Sequence, residues 1–176
     1  MRKCAAFLPT LDFVAVSDGK IVGNIVYTTA KLVADKGTTH TVLSFGPLSV
    51  LPDYQGRGIG KMLIEHTKKI ATDLGYDAIL IYGDPVYYKR FGFVAAEQFG
   101  IRTADNMYAD ALQVCVLKNN VLSGLAGRFV EDEIYNMDSS AAEQFDKTFV
   151  PKEKLSDTPS QKHFLEMIQL RRKAEI

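Results

Sequence analysis

At 176 residues the chain has the length of one domain with room for an extension, and with 47% hydrophobic residues it can bury a sizeable core. Lysine plus arginine balance aspartate plus glutamate at 21 each, so no long-range field gathers nucleic acid or an acidic membrane surface. Cys4 and Cys115 lie far apart, and His40, His66 and His163 are scattered, which excludes a disulfide scaffold and leaves a metal centre without ligand spacing. No apolar run approaches the ~20 residues that span a bilayer. The opening M-R-K-C-A-A-F-L-P-T has too short an apolar run for a secretory signal. A soluble, cytoplasmic protein with reduced thiols is expected.

In chain order, Leu11 to Val16 alternates as a strand does, and Ser17-Asp18-Gly19-Lys20 carries the Asp-Gly signal of a tight turn. Ile21 to Ala30 is the return strand of a hairpin, and Lys31 to Thr39 reads as a loop around Gly37. Thr41 to Val50 is the next strand, broken by Gly46-Pro47, where proline cannot donate to a ladder. A polar turn then leads through Gly56, Gly58 and Gly60 into a helix expected over about Arg57 to Leu74. Its apolar stripe reads Ile59, Leu63, Ile70, Leu74, with Glu65 and Lys69 paired on the other face and Gly75 as the stop. Ala78 to Tyr82 is a continuous apolar run, as in a buried parallel strand after a crossover helix.

Asp84 and Pro85 cap a short helix ending at Gly92, and Phe93 to Ala95 begins another strand. Gln113 to Leu117 is the last core strand. Beyond it Leu122 to Phe129 is dotted with glycine, Asp138 to Ser160 is polar, and Ser160 to Ala174 forms a helix with Phe164, Leu165, Ile168 and Met167 toward one side. The expected organisation is a core over residues 1–120 and an extension over 121–176, the latter without legible chemistry.

Strand, glycine-rich turn and helix N-terminus make an anion cradle, because the first helical amides lack intrahelical partners and the dipole favours negative charge there. Spacing decides among three cradles. A P-loop fails: Gln55 stands five before Gly60, and Lys61 is followed by Met62, which has no hydroxyl. The dinucleotide fingerprint fails because Lys61 occupies the third glycine position. Gln55-Gly56-Arg57-Gly58-Ile59-Gly60 does fit Q/R-x-x-G-x-G/A, set in V-x-P-x-Y-Q-G-x-G-I-G and followed by K-M-L-I.

That phrasing resembles the acyl-CoA loop of the GNAT superfamily, the Gcn5-related N-acetyltransferases. A second element, Tyr88 to Phe93 in the form Y-x-x-x-G-F, stands in the family's order after helix and strand. The wider G-D-P-x-Y-Y-x-R-F-G-F is similar to that of small predicted bacterial acetyltransferases. The resemblance runs from about Leu11 to Leu117. It implies an α/β (α+β) GNAT fold: a mixed, mostly antiparallel sheet with a splayed parallel pair, flanked by helices.

It also implies acetyl-CoA as cosubstrate. Backbone groups of Leu48, Ser49 and Val50 would pair with the pantetheine arm. The amides of Gly56, Arg57, Gly58, Ile59, Gly60 and Lys61 would take the pyrophosphate, with Gln55 ordering the loop or touching a phosphate. Tyr88, four before Gly92, stands where the family's tyrosine protonates the departing sulfur, and Tyr87 is its rival.

Two departures follow. The stretch His40 to Val50 holds no Asp or Glu, so no general base is legible. Only Met1 to Thr10 precede the hairpin, too few for the family's first strand and helices. An incomplete chain, an acceptor groove completed by another subunit, or an exposed apolar sheet edge that pairs two chains as a homo-oligomer, a dimer, would each follow. The expected function is transfer of an acetyl group to a small-molecule or protein amine. A CoA-binding or regulatory module without activity is the alternative, and an O-acyl or longer-chain acyl transferase is a third reading.

Overall fold

The computed structural model describes residues 1–119, 121–136 and 138–174. Asn120, the last residue of the expected core, lies outside the described residues.

The hairpin forms as expected. β1 (Phe13–Ser17) pairs antiparallel with β2 (Lys20–Ala34). Asp18 and Gly19 both take positive φ, which gives the turn a twist that matches the strands. Leu11 belongs to a 3-10 turn (Pro9–Leu11) before β1 and is fully buried.

β2 is longer than its apolar run implied. It continues through Lys31 to Ala34, which the sequence reads as loop. The reason is tertiary: the added residues pair on one side with β3 (Thr39–Val50) and on the other with a strand from far along the chain. The register between β2 and β3 shifts opposite Gly46-Pro47, so the predicted irregularity lies where proline put it.

α1 (Ile59–Asp73) starts two residues later than expected. Its buried line is Gly60, Leu63, Ile64, Thr67 and Ala71, rotated from the predicted stripe, and Leu74 is half exposed. Thr67 is tolerated on that face because its hydroxyl bonds both the Leu63 carbonyl (2.7 Å) and the buried Tyr27 hydroxyl (2.9 Å). Glu65 pairs with Lys61 at 3.7 Å, while Lys69 pairs with Asp73 at 2.8 Å. Gly75, at φ +91°, closes the helix: its amide bonds Thr72 and that of Tyr76 bonds Ala71.

β4 (Ala78–Tyr82) follows, buried on both faces. α2 (Pro85–Tyr88) begins under the Asp84 cap, with a carboxylate-to-Val86 amide distance of 2.8 Å. β5 (Val94–Ala95), β6 (Ile101–Arg102), β7 (Met107–Ala109), β8 (Leu112–Val116) and β9 (Gly127–Val130) complete most of the strands. The main sheet runs β5-β8-β4-β3-β2-β9-β6, with β1 also on β2. Its neighbours are antiparallel except β3 with β4 and β6 with β9.

Alternate residues of the central strands face two cores. Leu43, Phe45, Ile79 and Ile81 meet α1. Val42, Ala78, Leu80 and Phe129 fill the opposite face.

The outer edge of β2 is covered. β1 covers its first part. The Leu8 amide bonds Tyr27, and the Thr29 amide bonds the Ala6 carbonyl. β9 pairs with Lys31 to Ala34. β9 falls in the stretch the sequence shows only as glycine-dotted. Gly127 is required there, because a Cβ would stand 2.3 Å from the Val33 carbonyl oxygen. Beside it, Arg102 is buried and ion-paired with Asp35.

The rest of the chain forms α3 (Ser139–Asp146), α4 (Pro159–Gln169) and β10 (Arg171–Lys173). A capping box of Thr158 and Gln161 opens α4, and β10 pairs with β7, which ends the helix short of the predicted Ala174. Among the described residues no helix is long and apolar enough to cross a membrane, and no cluster of His, Cys, Asp and Glu is arranged to hold a metal.

Candidate active site

The site begins with a wedge. β3 and β4 are in parallel register only at Leu43 and Ile79. Beyond that rung β3 stays with β2, pairing Leu48 with Ile25 and Val50 with Gly23, and its edge toward β4 is left open. A cleft of about 700 Å³ occupies the opening. Leu48 and Val50 line one side, Tyr87, Tyr88 and Phe91 the other, and the start of α1 closes the end.

At that end Gly58, at φ +84°, is the N-cap of α1, and no side chain caps the helix. The amides of Ile59, Gly60 and Lys61 form the first turn, where partial positive charge collects. A Cβ at Gly56 or Gly58 would meet no atom within 4 Å, so the turn faces open space. The Gln55 side chain donates to the Val50 carbonyl at 3.1 Å and ties the turn to the end of β3. Gln55, Gly56, Gly58, Ile59, Gly60 and Lys61 therefore share the cleft with Leu48 and Val50.

Two expected residues stand apart from it. Arg57 lies over the Tyr54 ring, 5.2 Å from its centroid. The Ser49 hydroxyl donates to Asn24 at 2.5 Å.

The adjacent tyrosines separate in space. The Tyr87 hydroxyl sits over the cradle, 2.8 Å from where a Cβ on Gly60 would be. Tyr88 turns toward the wedge. Its ring packs on Gly83 at the end of β4 and lies 5.9 Å from Phe45 and 5.5 Å from Phe93. Burial, and then the neighbouring Tyr87 and Asp84, push the Tyr88 phenol up to about 12, so it keeps its proton across the physiological range.

Asp84 and Arg90 also line the cleft, a role the sequence does not disclose beyond the cap. Partial burial raises the Asp84 carboxyl, but hydrogen bonds from the Val86 amide and from His163, at 3.0 Å, outweigh it and leave the carboxyl below its ordinary value. His163 is on α4, so the C-terminal helix reaches the rim of the cleft. Arg90 lies over the Tyr87 ring at 4.4 Å.

β3 carries no carboxylate, as its sequence says. One arrives from elsewhere. Glu131, just after β9, accepts from the Ser44 hydroxyl at 3.2 Å, one residue past the last rung of the wedge. Beside it the Tyr135 hydroxyl lies 3.2 Å from that of Thr28. Burial raises the Glu131 carboxyl above its ordinary value, and the Ser44 bond offsets only part of this. The local signal, R-F-V-E after a glycine, is too short to announce either strand or site.

Comparison with known proteins gives a consistent result. The family model for an acetyltransferase (GNAT) domain matches residues 11–95. The uncharacterized N-acetyltransferase YhbS of Escherichia coli K12 is 29% identical over 128 residues, covering 72% of this chain and 75% of that protein. YjhQ of the same organism, also an uncharacterized N-acetyltransferase, is 36% identical over 87 residues, 48% of this chain and 46% of that protein. The crystal structure of E. coli YhbS in complex with CoA superposes with a TM-score of 0.64 at 28% identity, covering 70% of this chain and 68% of that one. A GNAT family acetyltransferase from Brucella melitensis in complex with acetyl-CoA gives 0.53 at 26% identity, covering 69% and 66%.

Proposed function

Since the chain belongs, through residues 11–95, to the GNAT acetyltransferases, we propose that it transfers the acetyl group of acetyl-CoA to an amine by direct attack on the thioester. The observation that carries this reading is the uncapped, glycine-lined start of α1 at the end of a cleft between two parted strands. An anionic head and a long uncharged arm ending in a thioester fit such a shape, the head on the amides and the arm along β3.

In this reading the amides of Gly58 to Lys61 hold the pyrophosphate, and the Lys61 ammonium adds charge. Leu48 and Val50 offer backbone groups to the arm. The cosubstrate supplies an activated acetyl carbon. Positioning it against the amine accounts for much of the rate. The C–N bond forms as the C–S bond breaks, and the Tyr88 hydroxyl gives its proton to the leaving sulfur. Tyr87, over Gly60, serves binding.

Self-association belongs to the same reading. The outer edge of β1 is unpaired among the described residues, and Val14, Val16 and Ile21 are exposed on that hairpin.

Calorimetry with acetyl-CoA and CoA tests the cleft, and thiol release with a panel of amines tests the chemistry. Binding without thiol release would favour a CoA-binding module over an enzyme.

A further inference from the structure

A second cavity, of about 450 Å³, opens at the end of β4 on the sheet face away from α1. Its size suits a small molecule. Its walls are largely apolar: Ala109 and Ala111 from the sheet side, Phe164, Met167 and Ile168 from α4. These α4 side chains are otherwise short of partners, since Phe164 and Ile168 remain exposed. β10 anchors the end of the helix to β7, and His163, one residue before Phe164, is tied to Asp84. The wall residues 164–168 are therefore held on both sides.

The cavity and the cleft approach each other at the end of β4, where Tyr82 lines the cavity and Asp84, two residues on, lines the cleft. The Tyr82 ring lies 5.9 Å from Phe129, two residues before Glu131. The Tyr82 hydroxyl feels the negative charges of both Glu131 and Asp105. The next residue, Gly83, carries the Tyr88 ring. Cavity, carboxylate and acid thus converge on the end of β4 from different directions.

The charges there are unequal. Asp105 is neutralised by Arg171, with contacts of 2.6 and 2.7 Å. Glu131 has no ion-pair partner among the described residues; it has only the Ser44 hydroxyl. The other groups that face it carry no cation: Tyr135 on its own segment, Thr28 of β2 behind that tyrosine, and Tyr82 of β4. A half-buried carboxylate without a cation beside it favours an ammonium and can take its proton.

We propose that this cavity receives the acceptor, a primary amine on an apolar body, and that Glu131 accepts the proton the amine loses. The inference rests on the transferase reading above. The amine nitrogen bonds the acetyl carbon, the C–S bond breaks, the nitrogen's proton goes to Glu131, and the sulfur takes the Tyr88 proton. Solvent then returns the Glu131 proton to the tyrosinate.

The test uses the full chain, acetyl-CoA, and hexylamine and phenethylamine against ethanolamine and spermidine, with thiol release followed from pH 6 to 10. The apolar amines should have kcat/KM at least tenfold higher. Glu131→Gln should lower it about 10²-fold and abolish the acid-side limb that Glu131 sets, with acetyl-CoA affinity unchanged by calorimetry. Ser44→Ala removes the bond that lowers the Glu131 carboxyl, so its limb should move to higher pH; this decides the matter if Glu131→Gln does not fold. Ile168→Glu should raise KM for phenethylamine at least tenfold and leave acetyl-CoA affinity alone. Turnover with an unaltered pH profile in both Glu131 and Ser44 variants, or a preference for spermidine, overturns this inference while the transferase reading stands. Acetyl-CoA binding without thiol release from any amine overturns both.

Discussion

At the scale of single residues, two tyrosines adjacent in sequence are sent to different places by helix phase. Tyr88→Phe keeps the ring that packs on Phe45 and Gly83 and removes only the proton. It should lower kcat about 10²-fold and leave CoA affinity within twofold, by steady-state kinetics and calorimetry. Tyr87→Phe should weaken CoA binding instead, because its hydroxyl lies over the cradle. Gly58→Glu places a carboxylate where the proposed function seats the pyrophosphate, and a side chain at φ +84°. CoA binding should vanish, with a loss of about 1–2 kcal/mol in stability for the left-handed backbone, read by denaturant titration. Glu131 also leaves a signature on stability. Its carboxyl is raised in the fold, so the folded state holds the proton more tightly than the unfolded chain. Stability is therefore lost as pH rises from the unfolded value through the folded one. Glu131→Gln should flatten that fall in a Tm-against-pH series.

Among elements, the legible ones carry their own instructions. The Asp18-Gly19 turn, the Asp84-Pro85 cap, the Gly75 stop and the glycines that open α1 act within a few residues, and each stands where its local chemistry says. The uncapped glycine turn before α1 was legible for the same reason. β9 was not, because its four residues are held by partners nearly a hundred positions away. Neither was Glu131, whose meaning lies in a bond to Ser44 across 87 residues. The rotation of the α1 stripe has a similar cause: Thr67 looks polar in sequence and is buried by its bond to Tyr27. Gly127 is the residue on which β9 depends. Gly127→Ala forces a Cβ against the Val33 carbonyl and should cost about 1–3 kcal/mol, with the Phe129 amide losing hydrogen-exchange protection first.

For the molecule as a whole, the sheet has few free margins. The long strand β2 is covered along its outer edge by β1, by residues 6–8 and by β9. Besides the two-residue strands β5 and β6 at its ends, the described residues leave the outer edge of β1 for pairing, with Val14 and Val16 exposed. Light scattering at micromolar concentration should show a dimer, and Val16→Lys a monomer; a wild-type monomer would remove the β1 contact from the reading.

The end of β4 is reached by two separate sets of segments. Residues 48–61 and 84–91 surround the cleft, while Tyr82 and residues 103–111 and 164–171 line the cavity on the face away from α1. Sequence drift in one set need not disturb the other. If the cavity takes the acceptor as proposed, lineages descended from such an ancestor can exchange what they modify while inheriting the donor site intact, and the variable record of that exchange should be written beyond residue 102.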